Sequence, residues 1–131
     1  QFSVERLDRL GQDIRVTSLE RSLVDVLDRP DLGGGWDELW RSAESVEYYD
    51  IRQVVDYALL LRNATTAAKV GFFLDQHQEQ LMVENSQLDR LREARSRQPH
   101  YMDRSAPGRL VSDWNLIVPE QVLTRAWEVE I

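Results

Sequence analysis

The sequence contains no cysteine. That excludes a disulfide framework and any thiolate metal site. It has a single lysine, Lys69; the other basic side chains are arginines and two histidines. This imbalance reads as compositional bias before it reads as function. No apolar run approaches the roughly 20 residues of a membrane-spanning helix. The longest candidate, Ala58 to Leu61, is broken at once by Arg62 and Asn63. No basic-then-apolar leader opens the chain, so export is not expected. With cysteine also missing, the expected location is the reducing cytoplasm. The chain opens on Gln1 rather than methionine, which reads as a fragment or a processed product. A cationic surplus is missing too: 16 Lys+Arg stand against 23 Asp+Glu, a formal charge of −7. A domain built to hold phosphates usually carries the opposite sign. The balance weighs against nucleic-acid binding by these residues, although a local patch can oppose the mean.

What is present suits one globular domain over residues 1–131. The length supports one continuous core, and 42% hydrophobic with 30% charged residues is a folded balance. Alternation at Phe2 and Val4, and again at Ile14 and Val16, predicts an opening β-hairpin. Thr17-Ser18-Leu19-Glu20 matches a capping box, and Leu19, Leu23, Val26 and Leu27 then make a helical stripe. Asp28-Arg29-Pro30 ends that helix. Gly33 to Gly35 is a joint before a helix carrying Trp36, Leu39, Trp40 and Ala43. Asp50 is a candidate N-cap for a helix that ends near Asn63. Thr65 or Thr66 restarts it, with Ala64, Ala67, Ala68 and Gly71 as a small-residue stripe. Asn85 or Ser86 is expected to cap a helix with Leu88, Leu91 and Ala94. Arg95 to Gly108 reads as loop, with His100-Tyr101-Met102 extended. Trp114, Leu116 and Val118 suggest a strand buried on both faces, and Pro119 suits the first turn of a last helix. The fold class expected is therefore α/β in the α+β sense: a small mixed sheet of about four strands with five or six helices packed on it.

The reactive-site patterns are weak. Gly33-Gly34-Gly35 is followed by Trp36 and lacks the Lys and Ser/Thr of a phosphate loop. Asp75 and Glu79 share a helix face, but His77 points away from it, unlike H-E-x-x-H; a solvated acidic face is the simpler reading. No G-x-S-x-G elbow is present, nor any strand carboxylate followed by Glu-x-Lys. The expectation is no catalytic residue, no metal and no cofactor. The four tryptophans fall on apolar faces and read as core. Tyr48 and Tyr49 are adjacent, so they point apart and one is available to a partner. Arg90, Arg92, Arg95 and Arg97 form the one local basic run. Arg21 and Asp25, four apart, can pair on a helix surface. These eight residues are the candidate partner surface.

Ile14-Arg15-Val16-Thr17-Ser18-Leu19-Glu20-Arg21-Ser22-Leu23-Val24-Asp25 resembles the strand-into-helix signature of the AbiEi family. Gly34 before a helix with Trp36 and Ala43 follows in order, as does Asp50 before a helix with Tyr57. Lys69, Gly71, Phe72 and Leu74 resemble that family's small-residue helix ending in GFxLE, with Asp75 in place of Glu. Trp114-Asn115-Leu116-Ile117-Val118 resembles its late WNLxV strand. The resemblance runs from about Ile14 to about Pro119, and order and spacing carry it more than any single motif. Members of that family are antitoxins of type IV toxin–antitoxin pairs and predicted regulators of viral defence systems. They join an N-terminal winged helix-turn-helix, which binds operator DNA, to a C-terminal antitoxin domain. No helix-turn-helix is recognisable in this chain, so the resemblance implies the C-terminal half. It implies a nucleotidyltransferase-like toxin as partner, operator DNA contacted only through the absent domain, and no transferred catalytic residue. Two alternatives stay open from the residues: a metal-dependent nuclease-like enzyme gathering Asp25, Asp75, Glu79 and His100, or a pure dimerisation module acting as a homodimer.

Overall fold

The computed structural model describes residues 4–9, 12–28, 35–125 and 127, with backbone alone for 4–17. The Gly33–Gly34 joint, Phe2 and Ala126 fall outside them. Strands β1 (Val4–Arg9) and β2 (Gln12–Thr17) pair antiparallel, with Leu7 opposite Ile14. Helix α1 (Ser18–Leu27) follows without a break. Four helices come next: α2 (Trp36–Glu44), α3 (Ile51–Leu60), α4 (Ala64–Gln76) and the single turn α5 (Gln78–Leu81). Then α6 (Asn85–Ala94) leads to β3 (His100–Tyr101), β4 (Gly108–Val111), β5 (Leu116–Pro119) and α7 (Glu120–Thr124).

The class is α+β, with seven helices among the described residues and a small mixed sheet. That sheet has three strands rather than four, in the order β3-β5-β4. β5 lies parallel to β3 and antiparallel to β4. The opening hairpin is a separate two-stranded sheet. Strand β4 falls where no strand was expected. Gly108, Arg109 and Leu110 are all exposed, so no buried alternation marks the segment. Of β5, Leu116 and Val118 are buried and Ile117 only half so; the sheet is covered fully on one face.

Helix α4 sits at the centre: it is buried all round, with Thr66 and Lys69 as polar exceptions in an otherwise apolar stretch, the pattern of a helix with no solvent side. Every residue from Thr66 to Leu74 is buried. Around it pack α1, α3, α5, α6 and β5. Gly71 is the closest point. A Cβ built there would lie 2.2 Å from Cζ3 of Trp114, so only glycine lets the indole come this close to the helix. Gly71, the last member of the small-residue stripe, is thus the seat of Trp114.

Helix ends follow local chemistry, with three shifts from expectation. Asp50 caps α3, accepting from the Gln53 amide. Helix α4 is capped by Asn63, not by a threonine; Asn63 Oδ1 accepts from the Thr66 amide at 3.0 Å. Before α6 the cap is Glu84, whose amide donates to Gln87 Oε1 at 2.8 Å, so the box begins two residues earlier than Ser86. Pro119 precedes α7 as its cap, one position before the first turn.

Candidate functional site

The Thr17–Glu20 box is not closed by Glu20. Its carboxylate is buried and turned across to α3, where Oε2 accepts the Asp50 amide at 2.7 Å. Oε1 has no partner among the described residues. Glu20 therefore ties α1 to the α3 start rather than sealing its own helix. Beside it Tyr49 is 3% exposed and donates its hydroxyl to the Ala43 carbonyl at 2.9 Å. Burial, then the Glu20 charge, pushes its phenol up to about 12. Tyr49 is thus removed from the partner surface. Its neighbour Tyr48 is 63% exposed and remains on it.

Arg21 and Asp25 pair as expected, Nε to Oδ2 at 3.5 Å. The other Asp25 oxygen accepts the Tyr57 hydroxyl at 2.8 Å, and the Arg21 guanidinium lies 5.9 Å over the Tyr57 ring. Burial, then the Asp25 bond and charge, raises the Tyr57 phenol. The group clasps α1 to α3 and leaves its outer side in water. The arginines of α6 are less bare than a basic run suggests. Arg90 pairs with Asp56 at 3.0 Å. Arg92 pairs with Asp113 at 2.9 Å and Asp89 at 2.8 Å, and its guanidinium lies 5.1 Å over the Trp114 ring. Arg95 donates to the Arg92 carbonyl, and Arg97 stands exposed beyond the helix. A chain of −7 has supplied carboxylates to two of the four.

The residues weighed for a metal have separate partners. Asp75 is half-buried and accepts the Trp114 indole N–H at 3.0 Å, so it is a packing group rather than part of a solvated face. His77 is buried, with Nδ1 2.7 Å from the Phe73 carbonyl and Nε2 2.7 Å from Glu44. Glu79 is exposed, and His100 Nε2 is 3.1 Å from the Ser96 hydroxyl. Among the described residues no three histidine or acidic side chains gather to hold a metal ion.

Glu44 is the polar centre that sequence reasoning missed. Burial would raise its pKa; hydrogen bonds from His77, Trp127 and Arg125, with the Arg125 charge, outweigh that and hold it below the usual carboxylate value. Trp127 donates to Oε1 at 2.8 Å, while Arg125 and His77 share Oε2. Nearby Trp40 donates to Gln76, which donates to the Val122 carbonyl at 3.1 Å. Together these bonds fasten α7 and Trp127 onto α2 and α4. The partners lie 33 and more positions apart in sequence, beyond any local motif.

Hollows also open among the described residues. Between α1 and α2 an open, largely apolar one of about 550 Å3 is walled by Leu19, Leu23, Val26, Leu39, Ala43 and Val46. Where α4 begins, a polar cavity of about 170 Å3 is lined by Asp28, Asn63, Thr65, Thr66, Lys69, His100, Tyr101 and Arg104.

Compared with family models, curated proteins and solved structures, the chain matches none of them. No helix of the described residues is long and apolar enough to cross a membrane.

Proposed function

We propose that this chain is the non-catalytic C-terminal domain of a cytoplasmic AbiEi-like regulator, an antitoxin domain that counteracts a nucleotidyltransferase-like toxin by protein contact. One observation supports it above the others. The stretches that resemble the AbiEi family depend on each other in space. Gly71 admits the ring of Trp114, and Asp75, standing where the family has Glu, accepts that ring's N–H. Asn115, next to it, takes a left-handed turn (φ 50°) and donates its side-chain amide to the Ser96 carbonyl at 2.9 Å. Near the first stretch, the Thr66 hydroxyl donates to Asp28. The stretches that carry the resemblance are thus packed against one another in this chain, which is what the reading leans on.

On this reading the family-like residues are scaffold, and activity belongs to exposed side chains. Tyr48 and the outer side of the Arg21–Asp25 pair are the surface of choice. Operator DNA is left to a winged helix-turn-helix domain, in keeping with the −7 charge. The test is co-expression with the toxin encoded beside the gene. The chain alone restores growth on this account; rescue only by a longer protein carrying the DNA-binding domain would move the activity elsewhere. A calorimetric titration with magnesium or manganese checks the nuclease alternative. Stoichiometric binding of either ion would count for that enzyme and against the regulator.

A further inference from the structure

Helices α1 and α2 each carry more apolar surface than the core takes up. Helix α1 packs on α3 and α4 and buries Leu23, Val24 and Leu27. Its Leu19 and Val26 are only half-buried, and with Leu23 they form a second stripe at i, i+4 and i+7. Helix α2 packs on α7 and buries Trp36 and Trp40. Its Leu39 and Ala43 are half-buried, and Val46, next after the Ser45 C-cap, continues their line. These two stripes wall the open groove of about 550 Å3. Each wall runs for about 10 Å, the length of two helical turns.

The polar residues of the groove are few. Ser22 and Ser42 are exposed, one on each wall. Glu38 is the only charged side chain among the lining residues, and its carboxylate has no partner among the described residues. Elsewhere Arg90, Arg92 and Arg109 each meet a carboxylate. The groove is therefore apolar along its walls and short of one cation at its rim. A second copy across a two-fold axis would set this acidic rim against itself. Residues 29–34, which join the two helices, read Arg29-Pro30-Asp31-Leu32-Gly33-Gly34 and offer one large aliphatic side chain to both stripes.

We propose that the groove docks an amphipathic helix of a partner protein, apolar toward both walls and carrying Lys or Arg on the flank that faces Glu38. A helix recognised in a groove anchors through i, i+3 or i+4, and i+7, the spacing that both walls already hold. A basic flank supplies the missing cation and is drawn toward a chain of −7. The groove is continuous in sequence with the exposed candidate surface: Ser22 stands between Arg21 and Asp25, and Val46 two positions before Tyr48. The proposal goes beyond the regulator reading and does not need it. It concerns any partner helix of this chemistry, so the failure of either leaves the other standing.

The test uses the whole chain and two labelled synthetic helical peptides of about 14 residues, or four turns. Both carry leucines at i, i+4 and i+7; one has lysines beside that stripe and the other glutamates. Fluorescence anisotropy should show saturable binding of the lysine peptide, with the glutamate peptide at least about tenfold weaker. Ser42→Arg puts a long cationic side chain into the groove from an exposed position. It should weaken the lysine peptide about tenfold or more at an unchanged thermal midpoint. Glu38→Lys should reverse the order of the two peptides. Glu93→Lys makes the same change of net charge at an exposed site on α6 and should leave the order as it was. No saturation by about 1 mM lysine peptide, equal binding of both peptides, or unchanged binding in Ser42→Arg would each overturn the proposal. So would a reversal in Glu93→Lys equal to that in Glu38→Lys, which would reduce the effect to net charge. Binding that appears only in Leu32→Ser would give the groove to the chain's own joint. A dimer of the unaltered chain that Ser42→Arg dissociates would give it to a second copy. Either result also overturns the proposal.

Discussion

Gly71 sets two effects of opposite sign against each other. Replacing a mid-helix glycine by alanine ordinarily stabilises by about 1 kcal/mol. Here the added carbon would meet Trp114 at 2.2 Å, and overpacking a buried ring costs roughly 1–3 kcal/mol. The clash should win, because the ring is also held by Asp75. Gly71→Ala is therefore expected to lower the unfolding free energy by up to about 2 kcal/mol net, read as a lowered denaturant midpoint; a raised midpoint would mean Trp114 has room to move. Lys69 gives a second expectation at this scale. Burial lowers its pKa from 10.5 to about 8, partly offset by Asp28 and Asp103. Between those values the unfolded chain holds the proton and the folded chain does not, so stability rises with pH. The gain from pH 8 toward pH 10 should be roughly 2–3 kcal/mol and should vanish in Lys69→Met. Above pH 10 Tyr49 works the other way: its raised phenol keeps the folded chain protonated, and stability declines. The sequence marked Gly71 as a point of close approach through its small neighbours. It did not name Trp114, since the two lie 43 positions apart.

At the scale of elements, ends and fastenings matter most. Helix α5 closes at Met82, which is left-handed (φ 57°) and 74% exposed. The amides of Met82 and Val83 return to the Glu79 and Gln78 carbonyls, a geometry that glycine adopts without strain. With no core contact to lose, Met82→Gly should stabilise by about 1 kcal/mol, read as a shift in thermal midpoint. Glu44 fastens α7. Removing its carboxylate leaves His77 and Arg125 without their shared acceptor, so Glu44→Ala should destabilise by about 3 kcal/mol. Amide exchange should quicken first in Glu120–Thr124; uniform exchange across the chain would show that α7 is held by packing alone. Helices α3 and α6 were legible because each carries a 3.6-residue stripe bounded by a capping side chain; the single turn α5 has neither and was not expected. Caps slipped by a residue or two where several polar candidates stood together, as at Asn63 and Glu84. Strand β4 was illegible because its side chains face water, and an exposed strand leaves no hydrophobic period to read.

For the whole molecule, the apolar α4 could only be central, and that one element orders the rest around it. The α+β class was readable for this reason. The split into a hairpin and a three-stranded sheet was not, because strand pairing depends on distant partners. The candidate surface was readable only in part. Adjacency showed that Tyr48 and Tyr49 diverge but not which one is covered, and the carboxylates that meet Arg90 and Arg92 come from other elements. The account as a whole stands on protein contact as the mode of action. Its most direct test is sedimentation of the purified chain mixed with a nucleotidyltransferase-like toxin of the kind proposed as its partner. A heavier species containing both is the expected result, diminished by Tyr48→Ala at unchanged stability. Two components that sediment independently at every ratio, while the chain still relieves toxicity in cells, would contradict it.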